Sequence, residues 1–223
     1  MASAGPIRPT VVELYTSEGC SSCPPAESYI GELTRRANVL PLTFHVDYWD
    51  NLGWRDRFGL PQSVQRQRAY ARELHLSTIY TPQVVLDGRG NFVGSDRDSI
   101  DRALGENRVG RGVGVAVTFS TGELLIDVDA DLDAKNKAAA SDVVLVAYQH
   151  SAISPIARGE NSGRTLQEYN IVRDFRTLGR WDGERRQFRA PLNSLPKDAT
   201  DVAVLVQSIG PGNIIGAFSR PLR

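Results

Sequence analysis

The chain has only two cysteines in 223 residues, one methionine at its first position, and no surplus of charge of either sign. Each shortage excludes something. Its 26 basic and 26 acidic side chains give a formal net charge of zero, so nothing draws it generally to nucleic acid or anionic lipid. There is no run of about 20 apolar residues, so no helix is expected to span a membrane. The first residues contain no basic-then-apolar segment of the kind that directs export. Two cysteines cannot build a four-thiolate zinc site. No Ser-His-Asp order, glycine-rich phosphate loop, internal repeat or low-complexity tract is present. What remains is ordinary globular composition, 41% hydrophobic, enough for one large domain or two small ones.

The first half alternates strand and helix patterns. Val11 to Tyr15 reads as a buried strand, and residues 24–37 follow with Ala26, Tyr29, Ile30, Leu33 and Ala37 near helical spacing. Leu40, Leu42, Phe44 and Val46 alternate as a second strand. The loop 48–61 is rich in aromatics, and residues 62–75 read as a helix whose Arg66, Arg68 and Arg72 form a solvated basic face. Val84–Leu86 and Asn91–Val93 flank an Asp87-Gly88-Arg89-Gly90 hairpin turn, and a helix bearing Ile100, Ala103 and Leu104 closes the unit, capped by Ser95 or Asp96. The expected order is β-α-β-α-β-β-α over residues 8–106. After a polar, glycine-bearing joint at 105–114 the pattern becomes strands alone. They centre on 113–119, 124–130, 143–148, 169–175, 187–192, 202–206 and 214–218, which predicts an all-β sandwich-like domain over 112–223. Asp127, Asp129, Asp131 and Asp133 alternate with apolar residues, so they read as a solvated strand face and not a calcium loop.

The two cysteines stand together in YTSEGCSSCPPAE, residues 15–27. A disulfide there closes a loop of four residues, for which chain entropy gives about 2 kcal/mol, against about 3 for a 15-residue loop. It would be a weak staple joining no distant segments. Reversible exchange suits it better: one thiolate attacks a disulfide, and its neighbour resolves the mixed disulfide. The pair follows a strand and opens a helix, where backbone N–H groups lower a thiol pKa. Cys20 is then the attacking sulfur and Cys23 the resolving one. Pro25 would break a helix that started at Ser21, so either the helix begins near Cys23 or its first turn is kinked. A second class stays open: two thiolates with His45 could hold copper or another soft ion. A third is a non-catalytic binding protein with an inert disulfide.

The element order, the position of Cys-Ser-Ser-Cys, and Tyr80-Thr81-Pro82-Gln83 before the third strand resemble the thioredoxin superfamily. The resemblance implies a cis Thr81–Pro82 peptide packed beside the cysteines, with the Thr81 backbone pairing to a bound peptide. It implies no bound cofactor, and a protein or small-thiol disulfide as substrate, with a separate redox partner. More narrowly, VVELYTSEGCSSCPPAE, FHVDYWDNLGW, RQRAYA, YTPQVVLDG and ARGENSGRTLQEYNIVRDF resemble the bacterial family of domain of unknown function 1223. That resemblance implies a periplasmic or secreted protein. Glu13, among apolar residues on the first strand, is a candidate proton relay or a structural ion pair, on a face the spacing does not fix. His45 and Asp47 share a face of the second strand, as redox neighbours or metal ligands, with a satisfied structural histidine as the favoured alternative. Trp49, Trp54 and Tyr80 are candidates to line a substrate groove, with packing of their own loop as the alternative. Arg158, Glu160, Asn161 and Arg164 read as an ion-paired turn, with a domain contact second.

Overall fold

The computed structural model describes residues 8–106, 112–129 and 140–222. Its elements are β1 (Thr10–Thr16), α1 (Pro24–Leu33), β2 (Val39–His45), α2 (Pro61–Glu73), β3 (Gln83–Leu86), β4 (Gly90–Val93) and α3 (Arg97–Glu106), then β5 (Val115–Ser120), β6 (Glu123–Val128), β7 (Ser141–Pro155), β8 (Thr165–Trp181), β9 (Arg186–Pro191), β10 (Asp201–Ser208) and β11 (Ile214–Pro221). The β-α-β-α-β-β-α order expected for the first half is present. No helix among the described residues is long and apolar enough to cross a membrane.

Eight strands form one mixed sheet in the order β11-β10-β7-β8-β2-β1-β3-β4. β2 lies parallel to both β1 and β8, and the other neighbours are antiparallel. β1 is buried along its whole length, which is why it reads as a nearly continuous apolar run. Its side chains alternate between two cores. Val12 and Leu14 pack against Ala26, Tyr29, Ile30 and Leu33 of α1 and Ile100 of α3. Val11 and Tyr15 face the other way, toward Val64 and Tyr70 of α2 and Leu42 and Phe44 of β2. Each such aliphatic side chain contributes about 1.5–3 kcal/mol on burial.

The second half differs from a free-standing sandwich. A small sheet, β5-β6-β9, does pack Leu124, Ile126, Val128 and Phe188 onto Val143, Leu145, Val202, Val204 and Val206. The larger sheet, however, does not stop there. It continues through β8 into β2, meeting it at Thr43 and Ile171. The helix α1 also crosses this seam: a Cβ on Gly31 would lie 2.4 Å from the Tyr169 ring of β8. The joint at 107–111 and Asp131 and Asp133 lie outside the described residues.

β7 and β8 run 15 and 17 residues, far beyond the cores expected at 143–148 and 169–175. Polar residues at 149–151 hide the extension, and register shifts at Val143/Val144 and Ala147/Tyr148 break the alternation ahead of it. The overhang carries Ser154 and Glu168, and the turn between the strands, onto the end of α1 that bears the cysteines. One basic residue also differs from expectation. Arg66 turns inward from α2 with its side chain only 8% exposed, while Arg68 and Arg72 stay in solvent.

Candidate functional site

Cys20 and Cys23 are joined as a disulfide, with Cα atoms 5.4 Å apart. Cys23 is the N-cap of α1, and Pro24 and Pro25 occupy the first two helical positions, where a missing N–H breaks no intrahelical bond. Cys20 lies in the turn ahead of the helix, its N–H bonded to the Ser17 carbonyl and its own carbonyl accepting from Cys23 N–H. The helix dipole therefore acts on it less than on Cys23. The Thr81–Pro82 peptide is cis. Pro82 and Ala26 of the first turn of α1 both lie against Gly94. Trp49 connects the two loops: its Cβ lies against Gly19, and its indole N–H donates to Thr81 Oγ1 at 2.9 Å.

The sulfurs are not open to water. Both cysteines are 0% exposed, against the accessible pair that exchange would require, and only Ser21 and Ser22 of the motif reach solvent. The turn between β7 and β8 packs on the cysteine loop. Asn161 is buried there and donates from Nδ2 to the carbonyls of Glu18 and Cys20, 2.9 Å each. The Glu160 carboxylate accepts from Ser21 N–H at 3.2 Å. Gly159 lies at φ +76, and a Cβ added to it would approach Trp54 Cβ to 3.0 Å. So 158–164 is a contact between the two halves of the chain. Within it the Arg164 guanidinium donates to the Asn161 amide oxygen at 3.2 Å and Glu160 turns to Ser21 N–H, so the ion-paired turn expected there gives way to this contact.

Glu13 sits on the face of β1 that looks toward α2, opposite the α1 side. Arg66 binds it bidentately through Nε and Nη2, 2.7 Å each, and the Tyr15 and Tyr70 hydroxyls donate to it at 3.0 and 2.8 Å. Every lone-pair direction of that carboxylate is occupied on the wrong side of the sheet for a proton relay to the cysteines, so the structural ion pair is what the fold builds. Tyr80 donates to Asn91, and its carbonyl accepts from Gln67. Trp54 donates its indole N–H to Glu18 Oε2 at 2.7 Å. Of the three aromatic candidates, Trp49 and Trp54 flank the cysteine turn, and Tyr80 reaches instead to β4.

Beneath that turn lies a polar cluster that sequence reasoning largely missed. His45 is fully buried, and its Nδ1 is 2.7 Å from Asp56 Oδ2. Asp56 is its partner; Asp47, expected on the same strand face as His45, falls beyond β2, which ends at His45. Asp56 also accepts from the N–H groups of Glu18 and Phe58. Around them stand Glu18, Glu27 and Glu168, all buried. Burial opposes a charge on His45, yet Asp56, and then Glu168 and Glu27, outweigh it and raise the imidazole to about 9. Burial pushes Glu27 and Glu168 up to about 7 each, with His45 pulling the other way. Burial would also raise Asp56, but His45 and the two N–H donors hold it below its ordinary value. The signal available in the sequence was the pair of glutamates two residues before Cys20 and four after Cys23. Nothing local marked Asp56 or Glu168.

Fold and site together define a mixed α/β protein with a Cys-Ser-Ser-Cys disulfide between an interior strand and the first helix, its loop held by the turn of a hairpin from the β-rich half. The profile of the family described as protein of unknown function (DUF1223) matches residues 11–207, and the chain belongs to that family. It is similar to the crystal structure of protein AGR_C_4864 from Agrobacterium tumefaciens, with 31% identity and a TM-score of 0.83 over 97% of this chain and 95% of that one. A more distant likeness is to HBP35 of Porphyromonas gingivalis, at 15% identity and a TM-score of 0.64 over 98% of this chain and 76% of that one, which bears on the fold alone. No curated protein matches significantly.

Proposed function

We propose that the chain is a periplasmic or secreted thiol–disulfide oxidoreductase. Residues 8–106 form its thioredoxin-like unit, and residues 112–223 form a β-rich unit that shields the cysteine pair. The observation that carries the reading is the Cys20–Cys23 disulfide itself, a four-residue loop that follows the central strand and opens α1. The strand order β2-β1-β3-β4 and the Thr81–Pro82 loop before β3 support it.

In the reduced protein the Cys20 thiolate attacks one sulfur of a substrate disulfide. A mixed disulfide forms, and the second substrate sulfur leaves as a thiolate. Cys23 then attacks the Cys20 sulfur, the mixed bond breaks, and the substrate departs carrying two electrons while the Cys20–Cys23 bond re-forms. Run backwards, the same steps oxidise a dithiol. Thr81 offers its backbone to the substrate, and Trp49 and Trp54 border the approach. The substrate is a protein or small-thiol disulfide, a separate redox partner resets the pair, and no cofactor is needed. Both sulfurs are buried, so the reading requires the packing around them to open before either reacts, and we take 158–164, bonded to the cysteine loop, as the segment that lifts.

The test is a Cys23→Ser variant offered a disulfide-bonded peptide. The reading expects a mixed disulfide through Cys20. If no adduct forms while the same protein reacts after denaturation, exchange by the folded chain is refuted. Burial of both sulfurs favours a second reading, a binding protein whose disulfide is inert. A reduction potential below about −300 mV would move the conclusion there.

A further inference from the structure

The cluster under the cysteine turn has one feature that hydrogen bonding leaves unexplained. Four of its side chains each have one polar atom held by a neighbour and one buried atom with no hydrogen-bond partner among the described residues. His45 is held at Nδ1 by Asp56, and Nε2 is orphaned. Glu168 accepts from Ser154 at Oε2, 2.6 Å, and Oε1 is orphaned. Glu27 accepts from Thr16 at Oε1, 2.7 Å, and Oε2 is orphaned. Glu18 accepts from Trp54 at Oε2, and its Oε1 has only Arg57 Nε at 3.6 Å. Leaving a buried polar atom unpaired is costly, and more so if it is charged. All four side chains belong to the one electrostatically coupled cluster around His45.

We propose that His45 Nε2 and the free oxygens of Glu27, Glu168 and Glu18 form a site for one divalent first-row transition ion, in the range Mn2+ to Zn2+. The charges ask for it. Four carboxylates, counting Asp56, face one imidazole and one half-exposed guanidinium, and a doubly charged ion brings the cluster close to neutrality. The donors select the class. One imidazole nitrogen with three carboxylate oxygens suits manganese to zinc, lacks the all-oxygen shell of calcium, and offers no sulfur to a soft ion.

The spacing agrees. His45 Nε2 and Glu168 Oε1 are 3.7 Å apart, too long for a hydrogen bond. Two ligand bonds of about 2.1 Å meeting at roughly 110–120° would separate their donor atoms by about 3.4–3.6 Å. The second shell is already built: a carboxylate on the far nitrogen of the histidine, and a hydroxyl or indole on the far oxygen of each glutamate. Among the described residues no three such side chains already stand set to hold an ion, so loading draws the carboxylates inward about their anchored oxygens.

This site differs in ligands from the thiolate site considered for Cys20, Cys23 and His45, and it stands whether or not the cysteines exchange disulfides. Its ligands come from both halves of the chain: Glu18, Glu27 and His45 from the first, and Glu168 on β8 from the second.

The experiment strips the full chain with chelator, dialyses it against ZnCl2 or MnCl2, and counts bound ions by mass spectrometry. One ion per chain is expected. Glu27→Gln and Glu168→Gln should each weaken binding at least tenfold, and Ser154→Ala or Asp56→Asn about 10- to 100-fold. Zn2+ at 100 times its Kd should raise Tm by about 5–10 °C in the parent, and not in the double glutamine variant. Glutamine keeps the shape and removes a buried charge, so the metal-free variants should melt cooperatively at or above the parent temperature. The idea is overturned by a dissociation constant weaker than about 100 μM, by binding that survives both glutamine substitutions, or by binding that needs Cys20 and Cys23.

Discussion

Asn161→Ala tests whether the β7–β8 turn controls access to the disulfide. In the covered state Asn161 donates two hydrogen bonds, to the carbonyls of Glu18 and Cys20. When the turn lifts, water reaches both carbonyls, so the amide stabilises only the covered form. At about 1 kcal/mol net for each bond, its loss shifts the opening equilibrium by about 2 kcal/mol. That corresponds to about 30-fold more open protein. If opening and closing are fast relative to the chemistry, the rate of disulfide reduction follows the open population. The assay is timed reduction of the oxidised chain by a small dithiol, quenched with a maleimide that shifts gel mobility. It is run well below the melting temperature, so that global unfolding does not contribute. A reduction rate within twofold of the parent, in a variant that keeps its cooperative melt, would refute the assignment of Asn161 as the latch.

Four further outcomes follow from the same geometry. Gly159→Ala forces an alanine to φ +76 against Trp54, at a cost of about 1–2 kcal/mol, and should raise the reduction rate about tenfold; an unchanged rate counts against the cover. Glu160→Gln, at an exposed carboxylate with one bond to Ser21 N–H, should change that rate by less than about twofold in the same assay. Arg66→Met leaves Glu13 buried without its cation and should lower stability by about 3–5 kcal/mol in urea titration; a loss under about 1 would show that the pair is not buried in solution. Gly31→Ala gains about 1 kcal/mol of helix propensity but drives a methyl into the Tyr169 ring, and overpacking of about 1–3 kcal/mol should leave it net destabilised. In a Tyr169→Leu background the same change should become neutral or favourable, as a double-mutant cycle would report.

The residues that carry short-range signals were legible in the sequence, and those that depend on remote partners were not. Strand period, helix period and turn chemistry located the elements of the first half to within one or two residues for β1, β2 and β3, and the Thr81–Pro82 peptide is cis as the resemblance implied. Pro25 left two readings for the start of α1, and the structure takes the one near Cys23, which is its N-cap. Burial of the cysteines did not follow, because a residue that packs on their loop, Asn161, is 141 positions away from Cys20. Arg66 was read as solvated because a helix pattern cannot show that a carboxylate waits on the neighbouring strand. The same limit hid the partnership of His45 with Asp56 and Glu168. The lengths of β7 and β8 were underread because residues such as Gln149 to Ile153 are exposed or half-buried and not packed on a second apolar sheet, so their polarity looked like loop.

The seam where β8 lies beside β2 bears on how the chain can be divided. A fragment ending at residue 106 would keep all three helices and both cysteines, yet it would turn β2 from an interior strand into a border. The hydrogen-bonding groups that β8 takes up at Thr43 would then point outward from Val-Leu-Pro-Leu-Thr-Phe-His, a strand buried on nearly every residue. Such a fragment should self-associate when expressed, however sound its redox pair. The companion piece would inherit a 17-residue strand with its opposite margin bare. The practical unit for any assay of this protein is the uncut chain.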